Sequence, residues 1–272
     1  MSFAAAAASE LRSIDPSTST GTVDLRGFDP LDLVGPSLRA VSDEHPPAID
    51  APNRSPLGLP QTFWDSRRAL SEVQAAAWHC ARSADAVLGS VLARLSAMTP
   101  PTIELPNTIG TSGSLNIAVA IIGNSGAGKS AAVDAAERHL PADPLSDLAI
   151  LPLGSGEGIA EAYYGTVEEV DENGKTRQVR RQVRTSVLFE MDEGQAMAQL
   201  GGRQGSTLFT NIRSAVTGQR IGQANATTDR ARNLPVGEYR FALIAGFQTR
   251  YAADLLNDAA GGTPQRFVFL PA

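Results

Sequence analysis

Residues Gly123-Asn124-Ser125-Gly126-Ala127-Gly128-Lys129-Ser130 match the spacing G-x-x-x-x-G-K-[ST] in full. An apolar run, Leu115 to Ile122, precedes them, and helix-forming sequence begins at Ala131. No other stretch limits the possible folds so strongly. Such a loop works only where a buried strand and a following helix aim backbone N–H groups at an anion. The expectation is an α/β fold of the P-loop NTPase type, a mostly parallel sheet flanked by helices, which binds ATP or GTP.

Each residue of the motif has a physical task. Gly123, Gly126 and Gly128 let the backbone turn tightly and approach phosphate oxygens that a side chain would obstruct. Asn124, Ser125, Ala127 and Ala131 complete the cradle with their amides. Lys129 supplies a point charge to the β and γ phosphates, and Ser130 offers a hydroxyl to Mg²⁺.

Composition narrows the surroundings of that loop. The chain has 272 residues, 42% hydrophobic and 19% charged, enough for a substantial core with irregular sequence attached. Its formal net charge of -6 confines any nucleic-acid contact to local basic patches. The single cysteine, Cys80, excludes a disulfide framework and is expected to pack in the interior; His45, His79 and His139 lack metal-ligand spacing. The longest apolar runs fall well short of the ~18 residues of a membrane span, so a cytoplasmic protein without a membrane partner is expected.

Residues 1–60 are rich in Ser, Asp, Pro and Gly and read as a mobile arm. Residues 61–101 read as a helical segment that packs on the core: Leu70, Val73, Ala77, Cys80, Val87, Leu88, Val91, Leu92 and Leu95 recur at helical spacing. Thr62 and Asp65 suggest a capping box, Gly89 a break, and Pro100-Pro101 the stop. From 102 to 272 strands and helices alternate, the pattern of a parallel sheet. Strands are expected at Leu148–Leu153, Ser186–Met191 and Tyr239–Phe247 and from near Arg266, with a helix at Ser206–Val216. Asp171-Glu-Asn-Gly174 predicts a hairpin with arms Thr166–Val170 and Thr176–Val183.

A nucleotide hydrolase also needs an acid for the Mg²⁺ and a base to orient the attacking water. In Val187-Leu-Phe-Glu-Met-Asp192-Glu193, Asp192 is the candidate on the metal side and Glu193 the base, with Glu190 a competitor whose alternative is an outward-facing strand position. The polar tip of Phe241 to Gln248 makes Gln248, with Thr249 beside it, the candidate sensor of the γ-phosphate. Arg266, in Gly261-Gly-Thr-Pro-Gln-Arg-Phe267, is the candidate for a charge supplied in trans to a neighbouring subunit's nucleotide.

With these residues in view, the stretch from Leu59 to Ala272 resembles the P-loop ATPase domain of helicase or primase-helicase proteins of phages, plasmids and integrated elements. The resemblance rests on Gly123 to Ser130, Gly154 to Ile159, Leu188 to Glu193, Arg203 to Ala226 and Gly261 to Phe267. More distantly the layout is similar to AAA+ helicases of the minichromosome-maintenance type. It implies an oligomeric ring that hydrolyses ATP with Mg²⁺, a hairpin over Arg220 to Asn233 ahead of the sensor strand, and Gln265-Arg266-Phe267 as the trans arginine site. Position 248 holds Gln where such enzymes carry Asn.

The basic clusters are Lys175, Arg177, Arg180, Arg181 and Arg184 on the first hairpin, and Arg220, Arg230 and Arg232 on the second. Both are candidates for following single-stranded or forked DNA. Glu168, Glu169, Asp171 and Glu172 face the first cluster and are expected to pair with part of it. Two functions follow as expectations: an ATP-driven, helicase-like motor in mobile-element replication, or a nucleotide-dependent loader or switch that acts through a replication partner protein.

Overall fold

Three apolar segments set the architecture. Ile117–Ile122 (β1), Ser186–Met191 (β5) and Arg240–Phe247 (β8) are near-continuous hydrophobic runs, and every residue of β8 is buried. Strands of that kind belong inside a parallel sheet covered on both faces. The computed structural model, which describes residues 58–106, 113–143, 146–170, 174–201, 206–223, 232–257 and 261–272, contains such a sheet. Its order is β2-β5-β8-β1-β9, all parallel, with β2 at Leu148–Pro152 and β9 at Phe267–Pro271 on the edges.

Two compact units divide the chain after Val73. In the first, α1 is a single turn, Gln61–Trp64, and α2 (Arg68–His79) begins. The capping box predicted at Thr62 does not form. Pro60 occupies the N-cap without a side-chain bond, and Asp65 accepts a hydrogen bond from Gln61 Nε2 at 2.9 Å instead.

In the second unit, α3 (Ala84–Met98) runs unbroken through Gly89. A Cβ at Gly89 would lie 2.1 Å from Leu270 Cδ1 and 3.0 Å from Val119, so this glycine is a notch for close helix–sheet packing and not a helix break. The interruption lies instead between α2 and α3. Ala81 takes a left-handed φ of 52°, Arg82 N donates to Ala77 O, and Ser83 caps α3 by accepting from Ala86 N.

Helices α4 (Lys129–His139) and α3 pack together on one face of the sheet. Against the other face lies a core of Ala118, Ala120, Phe189, Phe241 and Leu243 with residues of α5 (Gly156–Glu161), α7 (Leu208–Val216) and α8 (Thr249–Asn257). Helix α6 (Gly194–Gly201) leaves the end of β5. The hairpin predicted first forms as β3 (Tyr164–Val170) with β4 (Thr176–Gln182); its tip, 171–173, is outside the described residues. The second forms as β6 (Ile221–Gln223) with β7 (Arg232–Leu234), and 224–231 between them, Arg230 included, is likewise outside. The arm at 1–57 and Arg203 also fall outside the description.

Strand order decides where ligands can bind. The connection from β1 crosses to the far edge at β2, while the chain leaving β8 passes β1 to reach β9. Next to β1 the order therefore reverses, and the crevice beyond the carboxyl ends of such strands is where open α/β sheets bind ligands. The ends of β1, β8 and β5 all lie there. Among the described residues no helix is long and apolar enough to cross a membrane.

Candidate functional site

The motif residues bridge β1 and α4. Gly123 N donates to Phe247 O on the neighbouring β8 (3.0 Å), which anchors the start of the loop, and Ala127 N closes a turn onto Asn124 O (3.1 Å). Gly126 and Gly128 have φ of 76° and 88°, left-handed values that side chains resist. Asn124 to Ala127 are exposed. Lys129, the first residue of α4, folds back so that Nζ donates to Gly123 O (3.0 Å) and Asn124 O (2.9 Å).

Pairing alternation puts the acids of β5 beneath α4. Val187 and Phe189 face the α5–α7 core, so Leu188 and Glu190 point to the opposite, α3–α4 face, and Asp192 follows at the same parity. There Lys129, Ser130, Glu190 and Asp192 line one cavity of about 20 Å³ with Ile121, Val133 and Ile244. Glu193 is exposed and is not among the lining residues; its carbonyl accepts from Ala196 N at the start of α6.

Glu190 is thus no outward-facing strand residue. Burial pushes its carboxyl above the usual range, opposed by the Arg94 charge and reinforced by Glu137, Asp192 and Asp134. Arg94, on α3, is fully buried; Nε donates to Leu140 O at the C-terminus of α4 (2.9 Å) and Nη2 lies 3.5 Å from Glu137. It offsets part of the negative charge on that face.

Gly246 was not anticipated as a site residue. A Cβ there would approach Asp192 O to 3.0 Å and Lys129 Cδ to 3.7 Å, so its bare Cα allows β8, the end of β5 and the lysine to come together. A lone glycine inside the apolar run Phe241 to Phe247 was the signal for it. Gln248 is half-buried and its carbonyl caps α8 by accepting from Tyr251 N and Ala252 N. Its neighbour Thr249 reaches the glycine-rich loop, with Oγ1 donating to Asn124 Oδ1 at 3.2 Å.

Arg266 lies at the other end of the sheet. It ends a 3₁₀ turn, Pro264–Arg266, and the next residue, Phe267, pairs with Ala118 near the start of β1, whereas the loop leaves β1 after Ile122. Four strand residues, about 13 Å, separate the two levels. Arg266 therefore does not join the loop of its own chain; its Nε is buried without a hydrogen-bond partner among the described residues.

The basic hairpins are largely engaged. Glu161, at the end of α5, takes both Arg180 of β4 and Arg232 of β7, and Arg181 pairs with Glu169 of β3. Burial raises the Glu161 carboxyl, but hydrogen bonds from Arg232 and Arg180 outweigh it and hold the group below the usual carboxylate range. Tyr164 OH donates to Asn233 O (2.9 Å) and ties the two hairpins again. Arg177 and Arg220 are exposed. Cys80 is half-buried, and among the described residues no three His, Cys, Asp or Glu side chains cluster to hold a metal by themselves.

No family model matches this sequence, and no curated protein matches it.

Proposed function

We propose that this chain is a Mg²⁺-dependent ATPase of the P-loop class, related in layout to AAA+ and RecA-like enzymes and working as an oligomeric motor in the replication of a phage, plasmid or integrated element. The observation that carries the reading is the single cavity shared by Lys129, Ser130, Glu190 and Asp192.

The residues around it suit a magnesium ion. Ser130, Glu190 and Asp192 there offer oxygen, which hard cations prefer, and the cavity has room for about one water-sized group. Magnesium needs only one or two side chains when phosphates and waters complete its shell, so the absence of a three-ligand cluster among the described residues is no obstacle. Ser130 and Asp192 would hold it, and bound there it offsets phosphate charge.

The remaining work belongs to the chain. Amides of the loop and the first turn of α4, other than those of Gly123 and Ala127 that already donate to Phe247 O and Asn124 O, bind the phosphate oxygens. Lys129 exchanges its two carbonyl partners for the β and γ phosphates. Glu193 orients the attacking water, Gln248 and Thr249 sense the terminal phosphate beside Asn124, and Arg266 serves the nucleotide of the next subunit in a ring. DNA would follow Arg220, Arg230 and Arg232.

The second reading, a nucleotide-operated loader or switch acting through a partner protein, is favoured by one observation. Arg180 and Arg232 are both held by Glu161 and Arg181 by Glu169, which leaves less free charge for a phosphate backbone. Phosphate release by the wild-type chain, with and without single-stranded DNA, separates the two. The motor reading expects stimulation by DNA, and DNA-independent turnover at full rate removes it. Lys129→Ala is expected to lose at least a hundredfold in turnover, and Glu193→Gln to bind ATP without hydrolysing it.

A further inference from the structure

Between α2 and α3 the chain turns sharply, and the turn places an arginine on the phosphate loop. A Cβ built on Gly128 would lie 3.1 Å from both Cδ and Nη1 of Arg82 and 3.4 Å from its Cζ. The missing side chain of Gly128 is thus the space in which the Arg82 side chain rests. We propose that Arg82 is a second phosphate-binding cation, acting with Lys129 on the diphosphate part of the bound nucleotide.

The corner that carries Arg82 is fixed to the same end of the sheet as the loop. Ser83 Oγ donates to Pro271 O (2.7 Å), Pro271 is in register with Ile122, and Ala272 N donates to Ile122 O (2.8 Å). The turn itself is a Schellman closure, with Arg82 N on Ala77 O and Ala81 N on Trp78 O. Its left-handed position is filled by Ala81, the one non-glycine residue with positive φ among those described. An alanine there costs about 1–2 kcal/mol relative to the right-handed form, so the surrounding bonds hold the corner in place.

The arginine is also electrically available. Among the described residues its guanidinium makes no ion pair; Nη1 donates only to Ala81 O, at 3.1 Å, and the side chain is exposed. Lys129 lies against Gly123 O, Asn124 O and the carboxylate-lined cavity. Arg82 lies over Gly128, the residue before Lys129. A diphosphate in the cradle would have two cations on the same loop, and the planar fork of Arg matches two phosphate oxygens at once.

This inference rests on the proposed nucleotide site, and its test separates the two. Titrations of fluorescent ADP and ATP analogues into wild type, Arg82→Gln, Arg82→Lys and Lys129→Ala are read as Kd, with thermal melting to verify folding. Arg82→Gln is expected to weaken ADP and ATP alike by about tenfold, the effect of losing one charge-assisted contact, and Arg82→Lys to fall between it and wild type. Wild-type Kd in a folded Arg82→Gln, beside lost binding in Lys129→Ala, overturns the role of Arg82 and leaves the nucleotide site standing. Failure of the wild type to bind either analogue overturns both.

Discussion

The Gly123–Ser130 loop and the paired hairpins hold their cations in opposite ways. Lys129 and Arg82 lean on backbone carbonyls and, among the described residues, make no ion pair. Arg180, Arg181 and Arg232 lean on the carboxylates of Glu161 and Glu169. A carbonyl fixes the position of a cation but leaves its net charge uncancelled, whereas a carboxylate cancels it locally. One region therefore keeps its positive charge uncancelled, and the other uses its charge to hold itself together.

The comparison breaks most visibly at Lys129. If its charge faces a ligand, Lys129→Ala abolishes hydrolysis while the melting temperature barely moves, because two carbonyl contacts at a half-exposed position contribute little. Equal loss of stability and activity would show that the lysine is structural.

Asp192 sharpens the same region at the next magnitude. Asp192→Asn keeps the shape and removes the charge, so half-maximal hydrolysis should require about 10–100-fold more Mg²⁺. A magnesium titration reads this directly.

Gly246 tests the close approach that unites the lysine with the acid. Gly246→Ala inserts a methyl 3.0 Å from Asp192 O within a fully buried strand. Overpacking of this kind costs about 1–3 kcal/mol, and denaturant unfolding together with phosphate release should show activity falling further than stability alone explains.

The smallest effect is expected in the hairpins. Glu161→Gln leaves Arg180 and Arg232 without their shared carboxylate, at a cost below about 1 kcal/mol because the pairs are partly exposed. Hydrogen exchange in β4 and β7 should quicken, and DNA affinity should rise if those arginines reach phosphate once freed. The contribution of these pairs to stability depends on pH. The folded Glu161 carboxyl is held below the usual carboxylate range, so its contribution is present at neutral pH and is lost as pH falls through that lowered pKa, which acid unfolding of wild type against Glu161→Gln reads.

Much of the loop end was legible because it is local. Gly123 to Ser130 is one continuous motif, and the apolar runs of β1, β5 and β8 announce buried strands without reference to anything distant. Glu190 was half legible: its two-residue offset from Asp192 puts both on one face, but which face α4 covers is a tertiary fact. Arg82 was not legible, since its partner Gly128 is brought near only by the α2–α3 corner and the β1–β9 pairing. Gly89 shows the opposite error. A glycine in a helical pattern signals either a break or a close approach, and only Leu270 and Val119 beside it decide. The strand order β2-β5-β8-β1-β9 likewise depends on crossovers that the sequence of any single strand does not encode.

The most direct test of the account is a double-mutant cycle on Mg²⁺-dependent ATP hydrolysis with Lys129→Ala, Asp192→Asn and both together. If the loop and the end of β5 act on the same triphosphate, each single variant removes most of the activity and the double variant is little worse than the poorer single one. Losses that simply multiply, or a wild-type rate that neither substitution lowers, would contradict it.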